Sequence, residues 1–282
     1  MTGRLELVAT PIGNLGDLSP RAVETLAGAD RILCEDTRRT RSLLSASSLP
    51  AGGRLEAFHE HNEDQKTPRV LERLEAGERI ALVCDAGTPG ISDPGSRLVA
   101  AAVAAGIEVG SIPGPSALLA ALVISGLPTD RFVMEGFLPR RGSLRHRRVS
   151  ELKAERRTVV LYESPRRVGA TVAELAAVLG GERPLVVARE LTKLHEEIWR
   201  GNLAEGAEHF AAGELRGEVV LVLGGNAEPD REATEEDIVA ALAQARADGL
   251  STRDAAAEVA EQLGVQRRRV YDLAIGAPGP KR

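Results

Sequence analysis

The chain has 282 residues, 43% hydrophobic and 27% charged, with a formal net charge of -5; this is the make-up of a soluble globular protein long enough for two domains, each with its own core. Aromatic residues are 2% of the total, so those cores must be built from Ala, Val, Leu and Ile, and the net acidity gives nucleic-acid binding no support by itself. No apolar run approaches the roughly 20 residues of a membrane span. The N-terminal residues enter a strand directly, with no signal peptide. Two isolated cysteines, Cys34 and Cys84, fit a reducing cytoplasm and speak against a disulfide framework or a zinc site.

Leu5–Ala9 reads as the first strand and runs into a Gly/Pro loop, Thr10-Pro11-Ile12-Gly13-Asn14-Leu15-Gly16-Asp17. Ser19-Pro20 then supplies an N-cap and a first-turn proline for a helix ending near Gly28. Arg31–Cys34 is a second strand, Thr37–Ala46 a helix, Leu55–Phe58 a short strand and Gln65–Glu75 a helix. The apolar run Ile80–Cys84 reads as a buried parallel strand. It opens into Asp85-Ala86-Gly87-Thr88-Pro89-Gly90-Ile91-Ser92-Asp93-Pro94-Gly95, where three glycines and two prolines fall in eleven residues. A plain strand-to-helix connection needs only about two to six residues. This one predicts a stiff, bent loop at a strand's carboxyl end, where open α/β sheets bind ligands. A helix over Arg97–Ala105, a strand over Glu108–Ile112, the loop Pro113-Gly114-Pro115-Ser116 and an apolar helix over Ala117–Ile124 complete the first half. Strands alternating with helices indicate βαβ units and a mostly parallel sheet.

Residues 125–130 read as a hinge between a first α/β domain, 1–124, and a second, 131–225. Arg131–Gly136 reads as a strand, followed by a basic helix carrying Arg140, Arg141, Arg145, His146, Arg147 and Arg148, with Lys153, Arg156 and Arg157 just beyond. No acid interrupts that run before Glu151, so it is either a solvated face or a polyanion-binding surface. Strands follow at Thr158–Tyr162 and Leu185–Ala188, with a helix over Val168–Leu179 between them. Glu196–Arg200 alternates as an antiparallel strand does, and Glu218–Leu223 is the last strand of a mixed sheet. Residues 226–282 form a linker and three short helices at Glu235–Ala247, Thr252–Leu263 and Gln266–Ile275. Their cadence suits a helix-turn-helix or a small helical cap, and a lone helical pair favours the cap.

Neither GxGxxG nor GxxxxGK[ST] is present, so the usual dinucleotide and P-loop readings are unavailable. Glu35, Asp36, Asp85 and Asp93 could hold a metal, but their spacing better suits capping and loop bracing. His59-Glu60-His61 would put two imidazoles on one face of a strand, with no third ligand, so no metal is expected. Ser116 and Ser164 lack a defined base. Glu163, Arg166, Glu190, Lys193, His195 and Glu196 gather acids, bases and cations at two strand ends, either as an exposed salt-linked rim or as one side of a cleft.

Thr10 to Leu18, Glu35 to Arg38, Asp85 to Gly95, Pro113 to Ser116, Tyr162 to Pro165, Glu190 to Lys193 and the Glu196-Glu197 pair, in this order, resemble the ribosomal RNA small subunit methyltransferase I family. The resemblance covers about residues 4 to 225. That family methylates the ribose 2′-hydroxyl of a decoding-centre cytidine in 16S rRNA and has the tetrapyrrole methylase fold, shared with precorrin methyltransferases and diphthine synthase. The resemblance implies a tetrapyrrole methylase-like α/β protein, two α/β domains with the cofactor cleft between them, plus a small C-terminal helical region. It further implies S-adenosylmethionine as cofactor, 16S rRNA in the 30S subunit as partner, and a homodimer. Carried over by motif, the cofactor contacts are Ile12, Ala86, Gly87, Thr88 and Ile91, then Ser116, Ala117, Glu163 and Leu191. A ribose hydroxyl is a poor nucleophile and needs a base or cation; Lys193 and Glu190 lead, with His195 and Glu163 behind them. Arg140, Arg141, Arg145, Arg147 and Arg148 would hold rRNA phosphates. One departure is Arg166, where the family pattern has histidine after Ser-Pro. Two other readings remain: a tetrapyrrole methylase of the same fold, against which the basic stretch and the Pro11-Ile12-Gly13-Asn14 loop both speak, and a non-catalytic nucleic-acid-binding protein built on the C-terminal helices.

Overall fold

The computed structural model describes residues 3–211, 215–226, 234–247, 250–263 and 265–276. The chain separates into two compact units, Met1–Asn226 and Ala227–Arg282. The larger unit holds two five-stranded sheets.

The first sheet is built from β1 (Arg4–Val8), β2 (Arg31–Cys34), β3 (Leu55–Ala57), β4 (Arg79–Leu82) and β5 (Glu108–Ile112). Between them run α1 (Pro20–Gly28), α2 (Thr37–Ala46), α3 (Glu63–Glu75) and α4 (Ser96–Ala104). Strand order is β3-β2-β4-β1-β5, and every pairing is parallel. Alternate residues serve opposite faces: Leu5, Leu33, Ile80 and Leu82 pack with Val70, Leu74 and Leu98, while Val8, Ile32, Ala81 and Val83 pack with Leu26 and Leu44. Burial on both faces explains why the central strands β2 and β4 are apolar runs and not alternating ones. The helix starts are marked as expected, Ser19 capping α1 through Ala22 N and Asp36 capping α2 through Arg38 N.

Helix α5 (Ala117–Ser125) leaves β5 and crosses to the second sheet. That sheet comprises β6 (Phe132–Phe137), β7 (Thr158–Glu163), β8 (Pro184–Arg189), β9 (Glu197–Asn202) and β10 (Val219–Leu223), in the order β6-β7-β10-β8-β9. Only β6 and β7 are parallel; β10 runs antiparallel to both β7 and β8, and β9 antiparallel to β8. One face packs on α7 (Val168–Leu179) through Val159, Leu161, Leu185 and Leu221. The other face, Val160, Val186, Val220 and Val222, is covered by Leu118, Ala121 and Leu122 of α5. Helix α6 (Ser143–Glu151) carries the basic run, and α8 (Leu203–His209) follows β9.

Sequence reasoning missed α8, which is only seven residues long, although its Asn202/Glu205 capping box is legible. His59-Glu60-His61 corrects another expectation. Strand β3 stops at Ala57, and these residues form the turn into α3, with His59 N donating to Asn62 Oδ1 at 2.9 Å. The strand geometry that would have paired the imidazoles is therefore not present.

The smaller unit packs α9 (Glu235–Ala247), α10 (Thr252–Leu263) and α11 (Arg267–Gly276) around Ile238, Leu242, Ala255, Val259 and Val270. Among the described residues, no helix is long and apolar enough to cross a membrane.

Candidate active site

β4, β1 and β5 are neighbours in the first sheet and all parallel, so the loops leaving their carboxyl ends must emerge side by side. They are the three Gly/Pro loops. Thr10 and Gly87 exchange backbone hydrogen bonds of 2.8 and 3.0 Å, and Thr88 Oγ1 donates to Pro115 O at 3.1 Å. Gly87 sits at φ +84°, a conformation that residues with a side chain rarely adopt and that glycine takes without strain. The far end of the central loop is held by Glu63, 2% exposed, whose Oε1 accepts from Gly95 N and Leu98 N at 3.1 Å each. The capping role expected of the nearby acids holds as well. Asp85 accepts from Asp36 N and pairs with Arg39, and Glu35 accepts from Asp85 N.

These loops form one wall of a cavity of about 370 Å³, within the range of small-ligand and cofactor sites. Ile12, Ala86, Gly87, Thr88, Ile91, Ser116 and Ala117 line it from the first sheet's side. Tyr162, Glu163, Ala188, Leu191, Glu218 and Val220 face them from the second. All nine residues expected at the cofactor thus surround one cavity. The two walls are pinned at Gly13, where a Cβ would lie 2.3 Å from Lys193 Cγ and 3.0 Å from Leu191 O.

Glu163 is 3% exposed and its carboxylate is fully engaged: Ser164 N at 2.6 Å, Thr171 Oγ1 at 2.7 Å and Arg167 at 2.5 Å. Lys193 does not line the cavity; its Nζ lies 2.7 Å from Glu190 and 3.0 Å from Glu218, which does. Burial works to lower the Lys193 pKa, but hydrogen bonds to Glu190 and Glu218 outweigh it and hold the ammonium above its usual range. The same bond from Lys193 holds Glu190 below the ordinary carboxylate range. Glu190 and Thr192 both adopt positive φ, 52° and 65°. His195 is exposed and stands off the cavity wall, as does Arg166.

Asp93 is different. It lines the cavity, has no ion-pair partner among the described residues, and is pushed up to about 6 by burial, then by the charge of Glu35. The Cys84 thiol is within its hydrogen-bonding reach, and burial pushes that thiol up.

Of the basic run, Arg140, Arg141 and Arg147 are exposed, Arg147 with Glu151 at 3.7 Å, and Arg148 pairs with Glu135 at 2.8 Å. Arg145 departs from the expectation of a phosphate contact. It is 9% exposed, with its guanidinium on Glu174 at 2.6 Å, Pro139 O at 3.0 Å and Thr171 Oγ1 at 3.0 Å. Thr171 therefore links Arg145 of α6 to Glu163 in the cavity wall. Sequence reasoning also passed over Phe137, Ser92 and Glu218 as wall residues; with so few aromatics in the chain, Phe137 was the one to notice.

Two α/β sheets enclosing a loop-built cavity define a tetrapyrrole methylase-type protein. Residues 4–207 match the family model for Tetrapyrrole (Corrin/Porphyrin) Methylases, and residues 232–277 match that for the RsmI C-terminal HTH domain. The second match replaces the helical-cap reading of the C-terminal helices with the helix-turn-helix one. The fold is shared with a uroporphyrin-III C-methyltransferase from Thermus thermophilus complexed with S-adenyl homocysteine (TM-score 0.54, 21% identity, 79% of this chain and 97% of that one). It is also shared with a diphthine synthase (TM-score 0.60, 16% identity, 78% and 89%). Ribosomal RNA small subunit methyltransferase I of Synechocystis sp. is 48% identical over 97% of this chain and 98% of its own length; that of Mycobacterium tuberculosis is 45% identical over 97% and 95%. The chain belongs to the ribosomal RNA small subunit methyltransferase I family.

Proposed function

We propose that this protein is a cytoplasmic S-adenosylmethionine-dependent methyltransferase that 2′-O-methylates the ribose of a decoding-centre cytidine in 16S rRNA within the 30S subunit. The observation that carries the reading is the cavity itself, where three backbone-rich loops and the second sheet surround all nine expected cofactor residues. S-adenosylmethionine supplies an electrophilic methyl group when bound. The cavity's composition fits such a donor. Ile12, Ala86, Ala117 and Leu191 offer apolar contact, Gly87 allows close backbone approach, and the N-terminus of α5, not capped by the Ser116 side chain, favours a carboxylate. Thr88, Ile91, Ser116 and Glu163 complete the set.

Asp93 would accept the proton that the ribose hydroxyl loses on taking the donor's methyl group, the methyl–sulfur bond breaking and the neutral thioether leaving. It is the wall carboxylate not already committed, since Glu163 has three partners and Glu218 faces Lys193. Lys193 and Glu190 then position Glu218 and the turn, and do not act as the base. Arg140, Arg141 and Arg147, together with the helix-turn-helix unit, engage rRNA phosphates. The exposed apolar side chains Leu119 and Val123 of α5 support a homodimer.

Methyl transfer from labelled donor onto 30S subunits, free 16S rRNA and a tetrapyrrole tests the assignment. Label in an alkali-resistant cytidine dinucleotide is expected; label on the tetrapyrrole alone, or on none of the three, overturns it.

A further inference from the structure

Only seven aromatic residues occur in the chain, four Phe, two Tyr and one Trp, and two of them meet at the cavity. Phe137 and Tyr162 have ring centroids 5.5 Å apart, tilted by 52°. Tyr162 is partly buried; Phe137 is 56% exposed although it lines the cavity. An exposed aromatic on a cavity wall loses apolar burial, so its placement calls for a reason.

The backbone places it there deliberately. In the β6–β7 pairing, Met134 faces Val160 and Gly136 faces Leu161, leaving Glu135 as an inserted residue, a bulge of a kind rare in parallel pairs. Gly136 takes φ +72°, which a glycine adopts without strain. Simple alternation from Met134, which packs with Val160, would send Phe137 to the opposite face, toward α7. The bulge restores Phe137 opposite Tyr162, on the cavity side. Three and four residues further on, Arg140 and Arg141 are exposed and carry no ion pair among the described residues. An open aromatic face followed within four residues by unpaired guanidinium groups is a combination suited to single-stranded nucleic acid, the ring taking a base and the cations its phosphates.

We propose that Phe137, braced by Tyr162, is the stacking platform for the nucleobase of the target nucleotide, with Arg140 and Arg141 on the flanking phosphates. This rests on the rRNA reading above. Phe137 shares the cavity with the donor loops but sits on β6 and not on any of them, so its role in selecting an unstacked base should be felt in affinity for RNA before affinity for S-adenosylmethionine.

Two measurements test it. Phe137→Ala should raise KM for 30S subunits roughly tenfold or more, while Phe137→Tyr stays near wild type and both variants keep the wild-type calorimetric Kd for S-adenosylmethionine and the wild-type Tm. An unchanged KM in Phe137→Ala overturns the platform, and so does a loss that falls on the donor's Kd. Phe137→Trp provides a second readout that needs no turnover, with Trp199, packed on His209 and Phe210, as a constant background. Cytidine monophosphate and a short single-stranded RNA should quench the new indole, and ribose 5-phosphate should not. Quenching by a tetrapyrrole alone, or by none of these, overturns the proposal. Because quenching is read without methyl transfer, failure of the rRNA assignment would show as absent label on 30S subunits, separately from the platform.

Discussion

Asp93 shows how position alone converts an ordinary acid into a candidate base. Its carboxyl is half-buried beside Cys84, with Glu35 and Asp85 adding negative potential, Arg39 spent on Asp85, and Tyr162 across the cavity. A pKa of about 6 makes it half-ionised at about pH 6 and mostly ionised, ready to accept a proton, at neutrality. The wild-type kcat/KM should therefore rise with pH through about 6 and level off, and Asp93→Asn should lose that rise and about two orders of magnitude or more of kcat while binding S-adenosylmethionine normally. The same shift has a stability consequence of known sign. The folded pKa is raised, so between about 4 and 6 the folded state binds more protons than the unfolded one, and stability falls as pH rises through that window. Discounted for partial exposure, the cost above pH 6 is roughly 1–2 kcal/mol. Thermal melts should show Asp93→Asn a few degrees more stable than wild type at pH 8 and equal to it at pH 4. Thr171 is the opposite case, a neutral residue on which two charges depend. Thr171→Val should cost about 1–3 kcal/mol in denaturant unfolding, because Glu163 and Arg145 each lose a partner in a buried setting.

Among the elements, α5 does two jobs. Its first turn borders the cavity and its body covers one face of the second sheet. Leu122→Ala should destabilise the larger unit by about 2–5 kcal/mol, seen as a lower denaturant midpoint, since Leu122 is 2% exposed against that sheet. Much of the element pattern was legible beforehand: β2, α2, β5, α7, α9 and α10 begin and end where periodicity and caps put them. What was not legible depends on distant partners. Strand β10 inserts between β7 and β8 although α8 and β9 separate it from them in the chain. The β6 bulge becomes visible only against β7. Arg145 looked like its basic neighbours until Glu174 and Thr171 of α7 were brought against it. The wall built by the three Gly/Pro loops could be read because its glycines and prolines carry local constraints, whereas Phe137 and Glu218 carry none.

At the level of the whole molecule, a net charge of -5 coexists with an exposed cationic edge at Arg140, Arg141 and Arg147. RNA affinity should then be local in origin and strongly salt-dependent. Arg140→Glu combined with Arg141→Glu should flatten the slope of log K against log salt by about one to two in filter binding, with donor affinity unchanged; equal losses of both would refute a dedicated RNA edge.

The crossing of α5 also sets a schedule for biogenesis. Leu118, Ala121 and Leu122 leave the ribosome about 100 residues before Val220 and Val222, the strand residues they pack on. At roughly 5–20 residues per second, that apolar stripe waits on the order of 5–20 seconds for β10 to complete the face that Val160 and Val186 begin. The nascent first half is thus a natural client for a chaperone, and slow codons placed between the two sheets would prolong its exposure.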